Sequence, residues 1–395
     1  MSDGNGQVSR RRSLYSDGHR RAVASSGAAS GNGHANGNGR GHANGNGNGA
    51  GSAPARGRSP ADAPELLRGT TVSWATPVPP LTVVVCTHER PQDLERCLAA
   101  LARQTVRGLE VVVVDNAPRT GRTRAAAEAA NVCYVVEPLP GLNRARNLGL
   151  RVARAPYVAY TDDDAIPDSD WAAVLLAVLA EPEIGGVAGN MEPAELETEA
   201  QRLFERYLGG EAGRRRRLER RRFAAPFPPA SAGQVGAGAN MAFPRAALCA
   251  VGGFDPAFDG GMPTRSAGDT EIFARLLAAG QRLVYEPRAV VAHRHRRTRR
   301  ELRAQLFGYG VGVYAFWTHR VLRDRDVEAA RFALSTLRMH AWRRLRRSLL
   351  GRTDELPPDL VMAELLGCLW GPVAYWQARR EAGAPPSGAL AGWWA

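Results

Sequence analysis

Leu81-Thr-Val-Val-Val-Cys-Thr-His-Glu-Arg-Pro91 decides how the rest of the chain is read. Its first six residues are apolar or β-branched, the composition of a strand buried on both faces. Pro91 opens a segment, residues 91–104, in which Leu94, Leu98 and Leu101 share one helical face. Between strand and helix stands a polar turn, Thr87-His-Glu-Arg90. The alternation continues outward. Residues 109–114 repeat the strand signal, 122–130 the helix, 132–136 a third strand, 143–153 a helix and 157–161 a fourth strand. Strands and helices in strict alternation predict an α/β domain with a doubly wound, mostly parallel sheet. Such sheets take their ligands at the carboxyl ends of the strands.

Further along, the pattern loosens. Residues 194–208 read as a helix, and 214–222 hold seven arginines before a turn at Pro226, Pro228 and Pro229. That basic run reads either as a mobile loop over an anionic substrate or as a solvated helix face. Residues 236–243 return as a strand, 269–279 as a helix, and 282–285 and 289–292 as two short strands; the remainder is mostly helical. At the other end, Asn-Gly repeats fill residues 31–51 and large apolar side chains are nearly missing from the first 60. Such a segment buries too little area to offset its chain entropy and is expected to be disordered. The organisation read from sequence is therefore a tail and linker (1–78), an α/β domain (79–295) and a helical, arginine-rich C-terminal segment (296–395).

All 52 basic residues among the 395 are arginines, against 39 acidic ones, for a net charge of +13. Without lysine, a Walker A loop, a protein-kinase site and Schiff-base chemistry are excluded. The charge is uneven. Residues 1–60 hold 8 Arg against 2 acids, 79–292 hold 25 against 26, and 293–395 hold 18 against 9. The five cysteines are widely spaced, without a CxxC pair, as expected of free thiols in a reducing compartment. No apolar stretch follows the N-terminal arginines, and the longest apolar run, 171–180, is too short to span a bilayer. A cytoplasmic protein, soluble or peripheral to the inner face of the membrane, is the expectation.

Polar residues cluster at three successive strand ends: Thr87-His-Glu-Arg90, Asp115-Asn116 and Asp162-Asp163-Asp164. Three adjacent carboxylates raise one another's pKa unless a cation neutralises them. All-oxygen ligands favour Mg²⁺ or Mn²⁺, and a phosphate is a natural way to complete the shell. A helix cap or turn is the bland reading of the aspartates alone; the other strand ends tell against it.

These stretches occur in one order with Ala145-Arg-Asn-Leu-Gly149, Val251-Gly-Gly-Phe-Asp255 and Gly268-Asp-Thr-Glu271. Together, over about residues 80–295, the set resembles the family 2 glycosyltransferases of GT-A fold. The resemblance implies a nucleotide-sugar donor, a divalent metal (Mg²⁺ or Mn²⁺), a saccharide or lipid-linked acceptor, and transfer with inversion. It implies nucleoside contacts from Thr87 and Glu89, a base contact from Asp115, and a nucleotide flank at Arg144 and Asn147. Asp162 and Asp164 are the ends of the DxD signature, with Asp164 the direct metal ligand and Asp163 near the ribose. Asp269 is the implied base, and its place at a helix start is expected to keep it ionised. The sequence departs from the family in having Gly268 where a Glu is usual, and Glu271 is the substitute candidate for the acceptor contact. His293 or His295 is implied to approach the metal, with His293 taken as the ligand, and Asn240 to lie near the acceptor.

Other classes fit less well. A nucleic-acid binder matches the basic ends, but the folded middle is nearly neutral and acidic at its mouth. A nucleotidyltransferase lacks its usual Gly-rich loop ending in Arg-Lys, and a Rossmann dehydrogenase lacks a third glycine after Gly236 and Gly238. Residues 299–320, with Leu302, Leu306, Phe307, Tyr309, Tyr314, Phe316 and Trp317, read as an amphipathic helix at an anionic membrane or as a helix packed on the catalytic core.

Overall fold

The computed structural model describes residues 77–339, 343–352 and 355–383. The tail assigned to 1–78 lies outside them except for its last two residues. The chain divides into two units, Met1–Ser59 and Pro60–Ala395, and every described residue belongs to the second.

The first strand, β1 (Thr82–Thr87), lies between two parallel neighbours, β2 (Glu110–Asn116) and β4 (Tyr157–Asp162), and all six of its residues are buried. Next to β2 runs β3 (Cys133–Glu137), also parallel. The connecting helices are α1 (Pro91–Ala102), α2 (Arg122–Ala129) and α3 (Leu142–Val152). Alternate residues of β1 serve opposite faces, as strand geometry requires. Val83 and Val85 pack with Leu94 and Leu98 of α1, while Val84 packs with Leu148 of α3. Gly149 permits that second contact, because a Cβ there would overlap the Val84 side chain.

On the far side of β4 the sheet becomes mixed. After the short β5 (Ala165–Pro167) and α4 (Trp171–Leu179) come β6 (Ile184–Pro193), α5 (Glu199–Tyr207), α6 (Gly210–Arg217), β7 (Arg221–Phe223), β8 (Asn240–Pro244), α7 (Arg245–Ala250), α8 (Gly268–Ala278) and β9 (Arg282–His293). The sheet order is β3-β2-β1-β4-β8-β6-β9-β5, with β7 on β9. Both neighbours of β8 are antiparallel to it, and β5 and β7 are antiparallel to β9. The two short strands expected at 282–285 and 289–292 are one strand, β9, with a register shift opposite Gly189 and Asn190 that takes up the intervening residues. The helix expected at 194–208 begins later, at a capping box made by Thr198 and Gln201.

The arginine run at 214–222 begins in α6, and its Arg215, Arg216, Arg220 and Arg222 are exposed, as the solvated-face reading expects. Arg217 pairs with Glu205, Arg220 and Arg222 pair with Glu181, and Arg221 lies over the rings of Phe223 and Tyr285.

The C-terminal segment consists of α9 (Arg299–Asp324), α10 (Val327–Met339), α11 (Leu345–Leu349) and α12 (Pro358–Ala382). The membrane-facing reading of residues 299–320 is corrected here: Leu302, Leu306, Tyr314, Phe316 and Trp317 of α9 are all buried. They join the sheet's own core and the face of α12. Between α9 and α12 the backbones touch, since a Cβ on Gly310 would overlap the Glu364 carbonyl oxygen and one on Gly367 that of Phe307. Near its end α12 sends Arg379 to the fully buried Asp255. Its outer face exposes Met362, Leu366, Leu369, Trp370, Val373 and Trp376 in succession. Among the described residues, no helix is long and apolar enough to cross a membrane.

Candidate functional site at the strand ends

The register of three adjacent strands brings the polar clusters level. Thr87 of β1 stands opposite Asp115 of β2, and Cys86 opposite Asp162 of β4. The chain then turns through Asp163 and Asp164 into β5, whose Ala165 pairs with His293 at the end of β9. That pairing sets His293 Nε2 at 3.1 Å from Asp164 Oδ1 and 3.9 Å from Asp162 Oδ2. Asp162, Asp164 and His293 each offer a ligand atom within 4.8 Å of the others.

The three aspartates differ in surroundings. Asp163 is buried, accepting from Thr87 Oγ1 at 2.7 Å and from Arg90 Nη1 at 3.2 Å. Burial, only partly offset by Arg90, pushes its carboxyl up to about 6. Asp164 receives the same Arg90 nitrogen at 3.2 Å. Burial opposes its ionisation, but the hydrogen bond and charge of His293, with Arg90, outweigh it and hold the carboxyl at about 2. Burial and the Asp164 charge raise the pKa of Asp162. For His293, burial favours the neutral ring but Asp164 outweighs it, and the pKa rises.

At the end of β2, Asp115 is fully buried and accepts from Tyr134 Oη at 2.8 Å through Oδ2. Burial raises its pKa, against the hydroxyls of Tyr134 and Thr123. Glu89, at φ 55°, accepts from the amides of Arg119 and Thr120 and from the Thr120 hydroxyl. It therefore ties the β1 turn to the turn after β2. Arg144 lies half-buried beside Gly141.

Asp269 stands in the first turn of α8, accepting from Gly238 N at 2.7 Å and Thr270 N at 2.6 Å. The helix start was expected to favour its ionised form. Burial and the charge of Asp259 reverse that direction and raise its pKa, despite Arg146 and the two amides. Asp259 also explains the departure at Gly268: it shares with Asn143 the space a Cβ there would need.

Three expectations are corrected. Asn147 exchanges both ends of its amide with the backbone of Phe254, at 2.7 and 2.8 Å, and so holds a loop rather than a nucleotide. Asn240 is fully buried, giving to Asn190 O and Ala289 O and accepting from Trp171 Nε1. No group remains on it for an acceptor. Glu271 is buried and paired through both oxygens with Arg275, a core contact. Of the two histidines, His295 is also internal: it bonds Glu205 at 3.0 Å and meets Phe204 edge-on.

Two residues stand in the motifs of the sequence without a role assigned to them there. Arg90, the last residue before Pro91, clasps two of the aspartates. Arg146 is buried and bonds Asp259 Oδ2 at 2.6 Å and Asn143 Oδ1 at 3.0 Å. The helical wheel carries the signal for Arg146, which lies four residues from both Leu142 and Leu150 on the inward face of α3.

Residues 82–250 match the profile described as glycosyl transferase family 2. The pre-mycofactocin glycosyltransferase of Mycobacterium tuberculosis is 30% identical over 261 residues, covering 63% of this chain and 51% of that protein. Validoxylamine A glucosyltransferase of Streptomyces hygroscopicus is 33% identical over 149 residues, or 35% of each chain. The chain thus spans about half the length, 51%, of the first of these relatives. Among solved structures, the mannosyltransferase PcManGT of Pyrobaculum calidifontis, in complex with GDP-Man and Mn²⁺, aligns with a TM-score of 0.46 at 21% identity, covering 84% of this chain and 85% of that one. It is residues 82–250 that carry the likeness to glycosyl transferase family 2.

Proposed function

We propose that the protein transfers a sugar, with inversion, from a nucleoside-diphosphate donor to a hydroxyl of a saccharide or lipid-linked acceptor. Residues 79–295 are the catalytic domain in this reading, and 296–395 its helical buttress. The observation that carries it is the convergence of Asp162, Asp164 and His293 at the strand ends, within 4.8 Å of one another.

Two carboxylates and an imidazole suit Mg²⁺ or Mn²⁺, with room for phosphate oxygens. Asp164, Asp162 and His293 would hold the ion, and when bound it would supply Lewis-acid stabilisation to the departing diphosphate. The chain's own residues do the rest. Asp115 Oδ1 accepts a donor from the base, and Thr87 with Asp163 lines the ribose side. Glu89 holds the turn against which the nucleoside lies, and Arg144 flanks the phosphates. Asp269 takes the proton from the acceptor hydroxyl as its oxygen bonds to the anomeric carbon and the bond to the diphosphate breaks. A raised pKa makes it a better base than a free carboxylate.

The test is a screen for nucleoside-diphosphate release over common sugar donors with Mg²⁺ or Mn²⁺. Release abolished by chelator and by Asp164→Ala is expected. Release indifferent to both would overturn the metal role.

A second reading concerns the partner surface. The exposed stripe from Met362 to Trp376 is about 21 Å long and about 10 Å wide. That footprint of about 200 Å² falls well short of the ~800 Å² per partner of a stable protein pair. Leu and Trp side chains with exposed Arg380 just beyond them on α12 suit an anionic bilayer surface. Co-sedimentation with anionic vesicles, lost in Trp370→Ser/Trp376→Ser, is the expected result; equal recovery with neutral vesicles would remove this reading.

A further inference from the structure

The acidic cluster already has a cation of its own. Asp163 and Asp164 have four carboxylate oxygens, and each is engaged: Asp163 by Thr87 and Arg90, Asp164 by His293 and Arg90. An ion held by Asp164 and His293 takes the place of the hydrogen bond between them at Oδ1, and at Oδ2 it meets the positive charge of Arg90. The donors are not equally easy to move. Thr87 is a buried residue of β1 and His293 is fixed by the β5–β9 ladder, whereas the Arg90 side chain is 42% exposed. Its backbone, by contrast, is anchored. Glu89 is held by the Arg119 and Thr120 amides, and α1 begins at Pro91. Arg90 is thus a long, partly solvated arm on a fixed shoulder.

We propose that Arg90 is a placeholder cation, occupying the Asp163–Asp164 pair until the divalent ion enters and then turning its guanidinium onto the diphosphate of the donor. The inference rests on the metal and nucleotide reading above. Two consequences follow from the single contact. Without nucleotide, Arg90 competes with the ion and weakens its binding. With a diphosphate present, the displaced guanidinium gains a bidentate anion partner, so ion and diphosphate each strengthen the other's binding by the same factor. Arg90 is a binding and coupling residue, with no part in proton transfer.

The experiment uses the full chain, Mn²⁺ as the ion followed by electron paramagnetic resonance, and inorganic pyrophosphate as the diphosphate probe. Arg90→Gln is expected to bind Mn²⁺ alone about tenfold more tightly than the wild type and to lose most of the tightening that pyrophosphate confers. Arg90→Lys, which keeps the charge, is expected to restore weak binding of Mn²⁺ alone. Because the side chain is partly exposed, both variants should melt with the wild type. Unchanged or weaker Mn²⁺ binding in Arg90→Gln, or full retention of the pyrophosphate effect, overturns the placeholder role. Asp164→Ala separates the two levels: if it binds Mn²⁺ like the wild type, the metal assignment itself fails, whereas loss of binding there with an indifferent Arg90→Gln removes only the inference.

Discussion

Asp269 holds its proton more tightly than a free carboxylate because of burial and Asp259. As the proposed base it must be ionised, so activity is expected to fall as pH drops through this raised pKa, above the ~3.9 of an unperturbed aspartate. Asp259→Asn removes the repelling charge and frees Arg146 to act on Asp269. The acid limb of the kcat profile should therefore move to lower pH. Asp269→Asn should cut kcat by about 10²–10⁴ while leaving nucleoside-diphosphate binding intact, measured by donor turnover beside calorimetry. Asp115, Asp162, Asp163 and Asp164 are legible in the sequence because a carboxylate at the end of a buried strand already stands where ligands bind. Asn147 and Asn240 mislead because an amide in a motif looks the same whether it meets a ligand or a backbone. Arg90 is visible as part of the strand-end cluster, but its role is not, because a residue ahead of a helix-initiating proline looks like a turn.

At the scale of elements, α9 and α12 show how small residues determine a helix pair. Gly367→Ala drives a Cβ into the Phe307 carbonyl oxygen, which as backbone cannot yield. Overpacking of this kind costs about 2 kcal/mol or more, and a fall of about 4–8 °C in Tm by calorimetry is expected. Gly308→Ala is the control. Its Cβ would meet Arg265 Cβ at an ordinary 3.6 Å, and helix propensity then favours the alanine. The parallel half of the sheet is plain from sequence, because strands buried on both faces read as unbroken β-branched runs. The antiparallel half is less plain. β8 and the two halves of β9 carry short apolar runs whose partners are fixed only by tertiary pairing, and the glycines of α9 and α12 resemble helix breakers until a second backbone is placed against them.

For the whole molecule, the helical segment is part of the core rather than an appendage. Tyr314, Phe316, Trp317 and Tyr375 share one apolar cluster with Tyr160 and Phe243 of the sheet. A chain truncated after residue 295 would expose that surface. It is expected to aggregate or to lose its near-UV circular dichroism and cooperative melt, whereas the full chain keeps both. Composition conceals this unity: charge counting sets the basic end apart, while its apolar positions are already spaced to join the sheet's core.

The bond between Arg379 and Asp255 has a consequence for biosynthesis. Asp255 is fully buried, one of its oxygens has no partner, and its arginine lies 124 residues later in the chain. At ~5–20 residues per second, roughly 6–25 s separate their synthesis. Through that interval the nascent sheet carries a carboxylate that it cannot bury at low cost. The turn through Phe254 and Asp255 is therefore expected to settle only once α12 has been made.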